Sequence, residues 1–262
     1  MAIQVIQKIA AICDLITKKE EKDKQKHPYT VAIILAAGKS TRMGNDDVSK
    51  QMMMLDGVPV IVRTMLAFEK SQYIQEIMIV ATKEELSMYR TFKKTYNITK
   101  LKLAVEGGDC RAQSALHGFD NLPKQCKFVA IHDGARCLIT TEDIDRTVKE
   151  AQLNGAAIAA KKTTDTVKVA DKFGFVKETP ARVSVWLAQT PQVFKKSLYE
   201  VSIIKAEKLD EKVTDDAMLV ESAGFHIKLV ACKNDNIKIT TPDDLFTAAH
   251  ILEKRIENNE TL

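Results

Sequence analysis

The sequence predicts an α/β protein: an open, mostly parallel, Rossmann-like sheet with helices on both faces, plus an inserted β-hairpin arm. Three observations carry that prediction. Short aliphatic runs alternate with longer amphipathic segments from residue 31 to about residue 160, the pattern of successive β-α-β units. A turn of small residues, Ala36-Ala37-Gly38, directly follows the first apolar run, as at the carboxyl edge of a parallel sheet. After about Thr163 the runs become shorter and more polar around turn residues.

Residues 31–36 (V-A-I-I-L-A) are aliphatic throughout, as a strand buried on both faces requires. Further strands of this kind are expected at 76–81, 101–105, 128–131 and 156–160. Helices are expected between them at 59–70, 84–96, 111–120 and 141–154. Thr141 offers an N-cap to the last of these, with Glu142 and Asp143 in its first turn. Residues 166–170 and 175–178 read as two strands around a turn at 171–174. A third strand, 183–188, is expected to end before a Gln189-Thr190-Pro191-Gln192 turn. The segment from about 163 to 187 therefore reads as a β-arm, either a lid or a dimer arm. Helices at 195–208 and 214–222, a strand at 227–231 and a helix at 242–256 complete the chain. Pro242 suits the first turn of that last helix.

Residues 28–262 read as one domain. Before it, Ile3, Ile6, Ile9, Ala10 and Cys13 suggest a short amphipathic helix, followed by a charged linker from Lys18 to Lys26. The stretch lacks a basic n-region and a small-residue cleavage site, so secretion is not supported. No apolar run reaches the roughly 18–20 residues needed to span a bilayer, and no membrane role is expected. Lys and Arg total 39 against 35 Asp and Glu, a net +4. That excess is too slight and too scattered for nucleic-acid binding, but it is compatible with a small anionic substrate. The five cysteines are odd in number and contain no C-x-x-C pair. A disulfide framework or zinc cluster is not expected, and a reducing cytoplasm is the simpler setting.

The segment Ala36-Ala37-Gly38-Lys39-Ser40-Thr41-Arg42-Met43-Gly44 is the most informative stretch for function. A small-residue turn at a strand end exposes backbone N–H groups that can hold phosphate oxygens, and Lys39, Arg42 and Lys50 add positive charge. Its spelling matches neither G-x-x-x-x-G-K-[ST] nor G-x-G-x-x-G. A strand–loop–helix turn with surface lysines is the plainer alternative. In order along the chain follow Lys50-Gln51, then L-D-G-V-P-V at 55–60, then Glu106-Gly107-Gly108-Asp109 with Arg111 and Ser114. Next come Ile131-His132-Asp133-Gly134-Ala135-Arg136, Asp165-Thr166-Val167-Lys168, and Arg182 with Trp186 before the Gln189–Gln192 segment. Thr214-Asp215-Asp216 and Asn236-Ile237-Lys238-Ile239-Thr240 complete the series.

This series resembles the sugar-phosphate nucleotidyltransferases, and within them the 2-C-methyl-D-erythritol 4-phosphate cytidylyltransferase family of the non-mevalonate isoprenoid pathway. The resemblance runs from about residue 31 to residue 253. It implies attack of a polyol phosphate on the α-phosphorus of CTP, with Mg²⁺ bridging phosphate oxygens and pyrophosphate leaving. Such a transfer needs positioning and charge stabilisation rather than a nucleophilic side chain. The implied catalytic cations are Arg42, Lys50, Arg182 and Lys238. The implied nucleotide contacts are Ala36, Ala37, Gly38, Lys39, Gly108, Asp109 and Ser114. Asp109 would accept from the exocyclic amine of cytosine, which a uracil carbonyl could not supply.

Asp133, Arg136, Thr166, Thr190 and Thr214 are the implied substrate-binding residues, with Asp133 also close to Mg²⁺. The arm, with Thr166 and Arg182, would reach into a neighbouring subunit of a homodimer. Other readings stand beside several of these. Gly107-Gly108-Asp109 also makes a helix-capping turn, Thr214-Asp215-Asp216 a helix start, and His132 a structural histidine. Cys137 occupies a position where the family usually has proline, which is expected to loosen that turn. Ribitol 5-phosphate as substrate, or an inactive nucleotide-binding regulator, are the alternatives to this activity.

Overall fold

Strand β1 (Thr30–Leu35) lies parallel between β4 (Glu76–Ala81) and β6 (Phe128–Asp133), and all six of its residues are buried. In the computed structural model, residues 27–38, 49–206, 213–233 and 235–258 are described. After β1 come the two-residue strands β2 (Met54–Leu55) and β3 (Val58–Pro59), helix α1 (Val60–Lys70), β4, helix α2 (Leu86–Thr95), β5 (Leu101–Glu106), helix α3 (Arg111–Asp120) and β6. Helix α4 (Thr141–Asn154), β7 (Ala156–Lys162), the short pair β8 (Val169–Ala170) and β9 (Val176–Glu178), and β10 (Trp186–Lys195) follow. Helix α5 (Lys196–Ala206), helix α6 (Asp216–Ser222), β11 (Lys228–Ala231) and helix α7 (Pro242–Glu257) end the series.

Seven strands form one sheet in the order β11-β7-β10-β6-β1-β4-β5. Its pairings are parallel except that β10 runs antiparallel to both β6 and β7. Alternation along β1 decides which helices go where. Ala32 and Ile34 face one layer with Ile61, Met65, Tyr89, Ile144 and Val148, drawn from α1, α2 and α4. Ile33 and Leu35 face the other, with Ala115 and Phe119 of α3, Tyr199 of α5 and Val220 of α6. Ile33 and Ile34 are fully buried; burying such a side chain stabilises by roughly 1.5–3 kcal/mol. A third cluster, with Leu55, Val60, Cys137, Leu138, Ile239 and Leu252, packs α7 beside the loop leaving β6.

The expected parallel core is present, and the corrections concentrate after residue 160. The strand expected at 166–170 is confined to Val169–Ala170. Residues 182–184 form a 3₁₀ turn, and the next strand begins at Trp186. The turn expected at 189–192 is instead a register irregularity inside β10, between Ala188 and Gln192, where the Thr190–Pro191 peptide is cis. Gln189, Thr190 and Gln192 are polar and flank a proline, yet here they are buried and find internal partners. The cap of α4 is Thr140 rather than Thr141; its side chain accepts from the Asp143 N–H. Residues 83–85 form a 3₁₀ turn before α2. The amphipathic helix and linker expected before residue 27, and the end of the 195–208 helix, lie outside the described residues.

Candidate active site

The carboxyl ends of β1, β5 and β6 converge on a cavity of about 290 Å³. Its lining includes Ala37, Gly38, Lys50, Gly108, Asp109, Arg111, Asp133 and Lys238. From β1 the chain leaves through Ala36, whose N–H donates to the Val80 carbonyl at 2.6 Å. Ala36 thus anchors the loop rather than offering its own N–H, while Ala37 and Gly38 line the cavity. Lys39 and Arg42, expected beside the phosphates, lie outside the described residues.

The loop after β5 lies directly against that first loop. A Cβ on Gly107 would come within 2.3 Å of the Ala37 Cβ, and one on Gly108 within 2.4 Å of the Gln113 Cβ. Only glycine permits this approach. The Gly108 N–H donates to Ser114 Oγ at 3.1 Å, and the Asp109 N–H donates to Gln113 Oε1 at 2.8 Å. These bonds make the loop a turn at the helix start. Its turn is tied to the start of α3, and the Asp109 carboxylate remains exposed at the cavity. Ser114, expected as a base contact, also braces the loop from within α3.

Asp133, the last residue of β6, organises the opposite wall. Its Oδ2 lies 2.9 Å from Lys238 Nζ and 3.6 Å from Arg136 Nε, and its Oδ1 lies 3.3 Å from Arg111 Nε. Burial would raise its pKa, but Lys238, Arg111 and Arg136 together outweigh burial and hold the carboxyl well below the usual carboxylate range. Burial lowers the pKa of Arg136, and Asp133 offsets this only in part. The segment carrying Lys238 is fixed from several sides. The Arg136 guanidinium and the Gln189 amide both donate to the Asn236 carbonyl, at 2.9 and 3.2 Å. Asn236 Nδ2 donates to Gln189 Oε1 and to the Thr190 carbonyl. The Ile239 N–H donates to the Ala135 carbonyl at 2.9 Å.

His132 is structural, as its type suggested. It is fully buried, and burial depresses its pKa to about 3. Its Nδ1 lies 3.0 Å from Thr190 Oγ1, which also accepts the Asp133 N–H at 3.0 Å. Its Nε2 lies 3.3 Å from the Arg136 carbonyl. These partners select the neutral tautomer with the proton on Nε2, Thr190 donating to Nδ1. Thr190, expected in the substrate pocket, is buried and committed to holding the β6 terminus. Cys137 is buried in the apolar cluster beneath α7, and burial pushes its thiol up to about 12.

Two expected substrate residues, Thr166 and Thr214, and the expected catalytic Arg182 stand apart from this cavity. Thr166 is exposed on the arm, as is Arg182, which donates to the Thr164 carbonyl at 3.2 Å. Thr214 borders a neighbouring, more apolar cavity of about 530 Å³, and Asp215 is the N-cap of α6, accepting the Met218 N–H at 2.8 Å. Arg111 and Asp216 stand within sequence motifs that imply no role for either. Arg111 Nη1 lies 2.7 Å from Asp216 Oδ2. The two residues are 105 positions apart, so no local spacing could have revealed the pair.

The sequence model of the 2-C-methyl-D-erythritol 4-phosphate cytidylyltransferase family matches residues 30–254. A relative of that name from Alkaliphilus metalliredigens is 39% identical over 229 residues, covering 87% of this chain and 95% of its own length. One from Caldanaerobacter subterraneus subsp. tengcongensis is 42% identical over 229 residues, covering 85% of this chain and 98% of its own. Among solved structures, 4-diphosphocytidyl-2C-methyl-D-erythritol synthase from Anaerococcus prevotii superposes with a TM-score of 0.77 at 32% identity. That match covers 86% of this chain and 96% of the other.

Proposed function

The chain belongs to the 2-C-methyl-D-erythritol 4-phosphate cytidylyltransferase family, and from that premise we propose how its residues divide the work. The protein is a CTP-dependent cytidylyltransferase of the non-mevalonate isoprenoid pathway. It transfers CMP to 2-C-methyl-D-erythritol 4-phosphate. A phosphate oxygen of the polyol attacks the α-phosphorus, the bond to the β-phosphate oxygen breaks, and pyrophosphate leaves. The attacking oxygen is already anionic, so no general base is required. The difficulty is bringing two anions together, and fixed cations lower that barrier.

The observation that carries the residue assignment is one cavity lined by Asp133, Lys238 and Arg111 together with Gly108 and Asp109, with Arg136 pairing Asp133 beside it. In this reading Ala37, Gly38 and Gly108 receive the nucleotide along their backbones, and Asp109 reads the cytosine amine. Lys50 and Lys238, with Arg42 and Lys39 from the segment between, neutralise the phosphates as charge moves to pyrophosphate. Asp133 and Arg136 hold the polyol. A Mg²⁺ ion, held mainly by the CTP phosphates, would supply further charge neutralisation on the triphosphate. The Asp133 oxygens face Lys238, Arg111 and Arg136 and suit a structural carboxylate better than a metal ligand.

The reading extends to a homodimer. The arm exposes Phe173, Phe175, Val176 and Val183, and a lone two-stranded ribbon such as β8–β9 is marginal in water without a partner. Thr166 and Arg182 sit on that arm, away from their own chain's cavity, and would complete the site of a second copy. Residues 28–262 act as one catalytic domain in this reading, in the cytoplasm. Cys110, Cys126, Cys137 and Cys232 are all unpaired thiols, which suits a reducing compartment.

The test is pyrophosphate release by the purified protein with MgCTP, comparing 2-C-methyl-D-erythritol 4-phosphate with ribitol 5-phosphate. Release with the former and not the latter is expected. Turnover of ribitol 5-phosphate alone would reassign the substrate, and silence with both from folded protein that still binds CTP would remove the activity.

A further inference from the structure

Arg111 stands between two carboxylates. It makes the shorter contact with Asp216, 2.7 Å from Nη1, and the longer with Asp133, 3.3 Å from Nε. Asp216 itself has little freedom. It is 4% exposed, begins α6, and accepts the Tyr199 hydroxyl at 2.6 Å. Tyr199 is wedged between Phe119 and Phe194, with ring centroids 5.2 and 5.3 Å away. The start of α6 is also pinned to β10. Gln192 Nε2 donates to Asp215 Oδ2 at 2.8 Å, and the Ala217 N–H donates to Gln192 Oε1 at 2.9 Å. A buried carboxylate held this firmly needs a cation, because an unpaired buried charge is costly.

We propose that Asp216, fixed by Tyr199, is a positioning residue for cytidylyl transfer: it draws Arg111 away from Asp133, so that Asp133 keeps its close pairing with Lys238. The inference rests on the catalytic reading above. Three cations, Arg111, Arg136 and Lys238, crowd the one carboxylate of Asp133. A guanidinium is a planar fork suited to gripping a carboxylate with two N–H groups. Released from Asp216, Arg111 would close on Asp133 in that way and displace Lys238, the cation assigned to the reacting phosphates. Asp216 touches no substrate; it sets the balance among groups that do.

The experiment uses full-length protein and steady-state pyrophosphate release with MgCTP and 2-C-methyl-D-erythritol 4-phosphate. Asp216→Asn keeps the shape but removes the charge, and kcat should fall about tenfold or more while KM for CTP stays within about threefold. Tyr199→Phe should lower kcat in the same direction by less, and Asp216→Glu should recover part of the loss. Arg111→Gln combined with Asp216→Asn should be no worse than Arg111→Gln alone, because the two act as a unit. A wild-type kcat in Asp216→Asn would overturn the proposal. So would additive losses in the double variant, or losses matching only a lower folded fraction. A crystal structure of Asp216→Asn reads the same balance without turnover. Lys238 displaced from Asp133 is expected, and a Lys238–Asp133 contact retained near 3 Å would defeat the proposal even if the substrate assignment failed.

Discussion

Asp133 stays ionised in a nearly dry position because three cations meet it there, and its neighbour His132 stays neutral for the opposite reason. His132 is fully buried, and Phe68 lies 4.9 Å away ring to ring. With its folded pKa near 3, the His132 contribution to stability is complete above the unfolded value of about 6.5. It is lost progressively as pH falls from there toward 3, because the unfolded chain binds the proton first. Denaturant unfolding between pH 7 and 4 should show a declining stability that a folded His132→Asn variant flattens. An unchanged slope would assign the acid sensitivity to other groups. Lys50 is a residue-scale test of the catalysis. Lys50→Ala should lower turnover by about a hundredfold or more while shifting Tm little, and a well-folded variant with normal turnover would remove Lys50 from the phosphate site. The resemblance drawn from the sequence named Asp133, Arg136 and Lys238 together, because each stands in a recognisable short motif. It gave Arg111 and Asp216 no role, because a salt bridge between distant residues leaves no local pattern.

Helix α3 shows how an element carries part of the site to its place. It starts at Arg111, braces the Gly108 loop through Ser114, and crosses the sheet closely at Gly118. A Cβ at Gly118 would lie 2.6 Å from Ile33 Cγ2 and 3.1 Å from Val80 Cγ2. Gly118→Ala should gain up to about 1 kcal/mol of helix propensity but lose about 1–3 kcal/mol to overpacking. The expected net result is a Tm lower by a few degrees, together with weaker CTP binding if α3 lifts from the sheet. Calorimetry and CTP titration would check both, and a fully stable variant would show that the contact relaxes without cost. The helices and parallel strands were legible because buried strands demand unbroken aliphatic runs and their helices alternate with them. The path of β10 was not. Its Gln189-Thr190-Pro191-Gln192 stretch has the composition of a turn, and only partners on β6, α6 and the segment around Asn236 make it the interior of a strand.

On the scale of the whole molecule, the arm and the N-terminal segment lead to different expectations. If the arm completes a partner's site, inactive Arg182→Ala and inactive Lys238→Ala proteins, unfolded and refolded together, should regain about a quarter of wild-type activity. Random pairing makes half the dimers mixed, each with one intact site. No recovery from folded mixed dimers would place Arg182 in its own chain's site or outside the chemistry. Removal of residues 1–26, which lie before the family match at 30–254, should leave turnover unchanged. A folded truncation that cannot turn over would bring that segment into the function. The sequence by itself determined the α/β class, the succession of sheet strands and helices up to β7 apart from the short β2–β3 pair, and the loops that border the candidate site. Apolar runs and small-residue turns are local properties, and backbone hydrogen bonding turns them into strands and exposed strand ends. Tertiary structure alone decided the antiparallel placement of β10, the commitment of Thr190 to His132 and Asp133, and the sharing of Arg111 between Asp133 and Asp216. Each of these depends on which charge or donor arrives from a distant part of the chain, and in a buried site the nearest partner, rather than the residue type, decides what a polar group does.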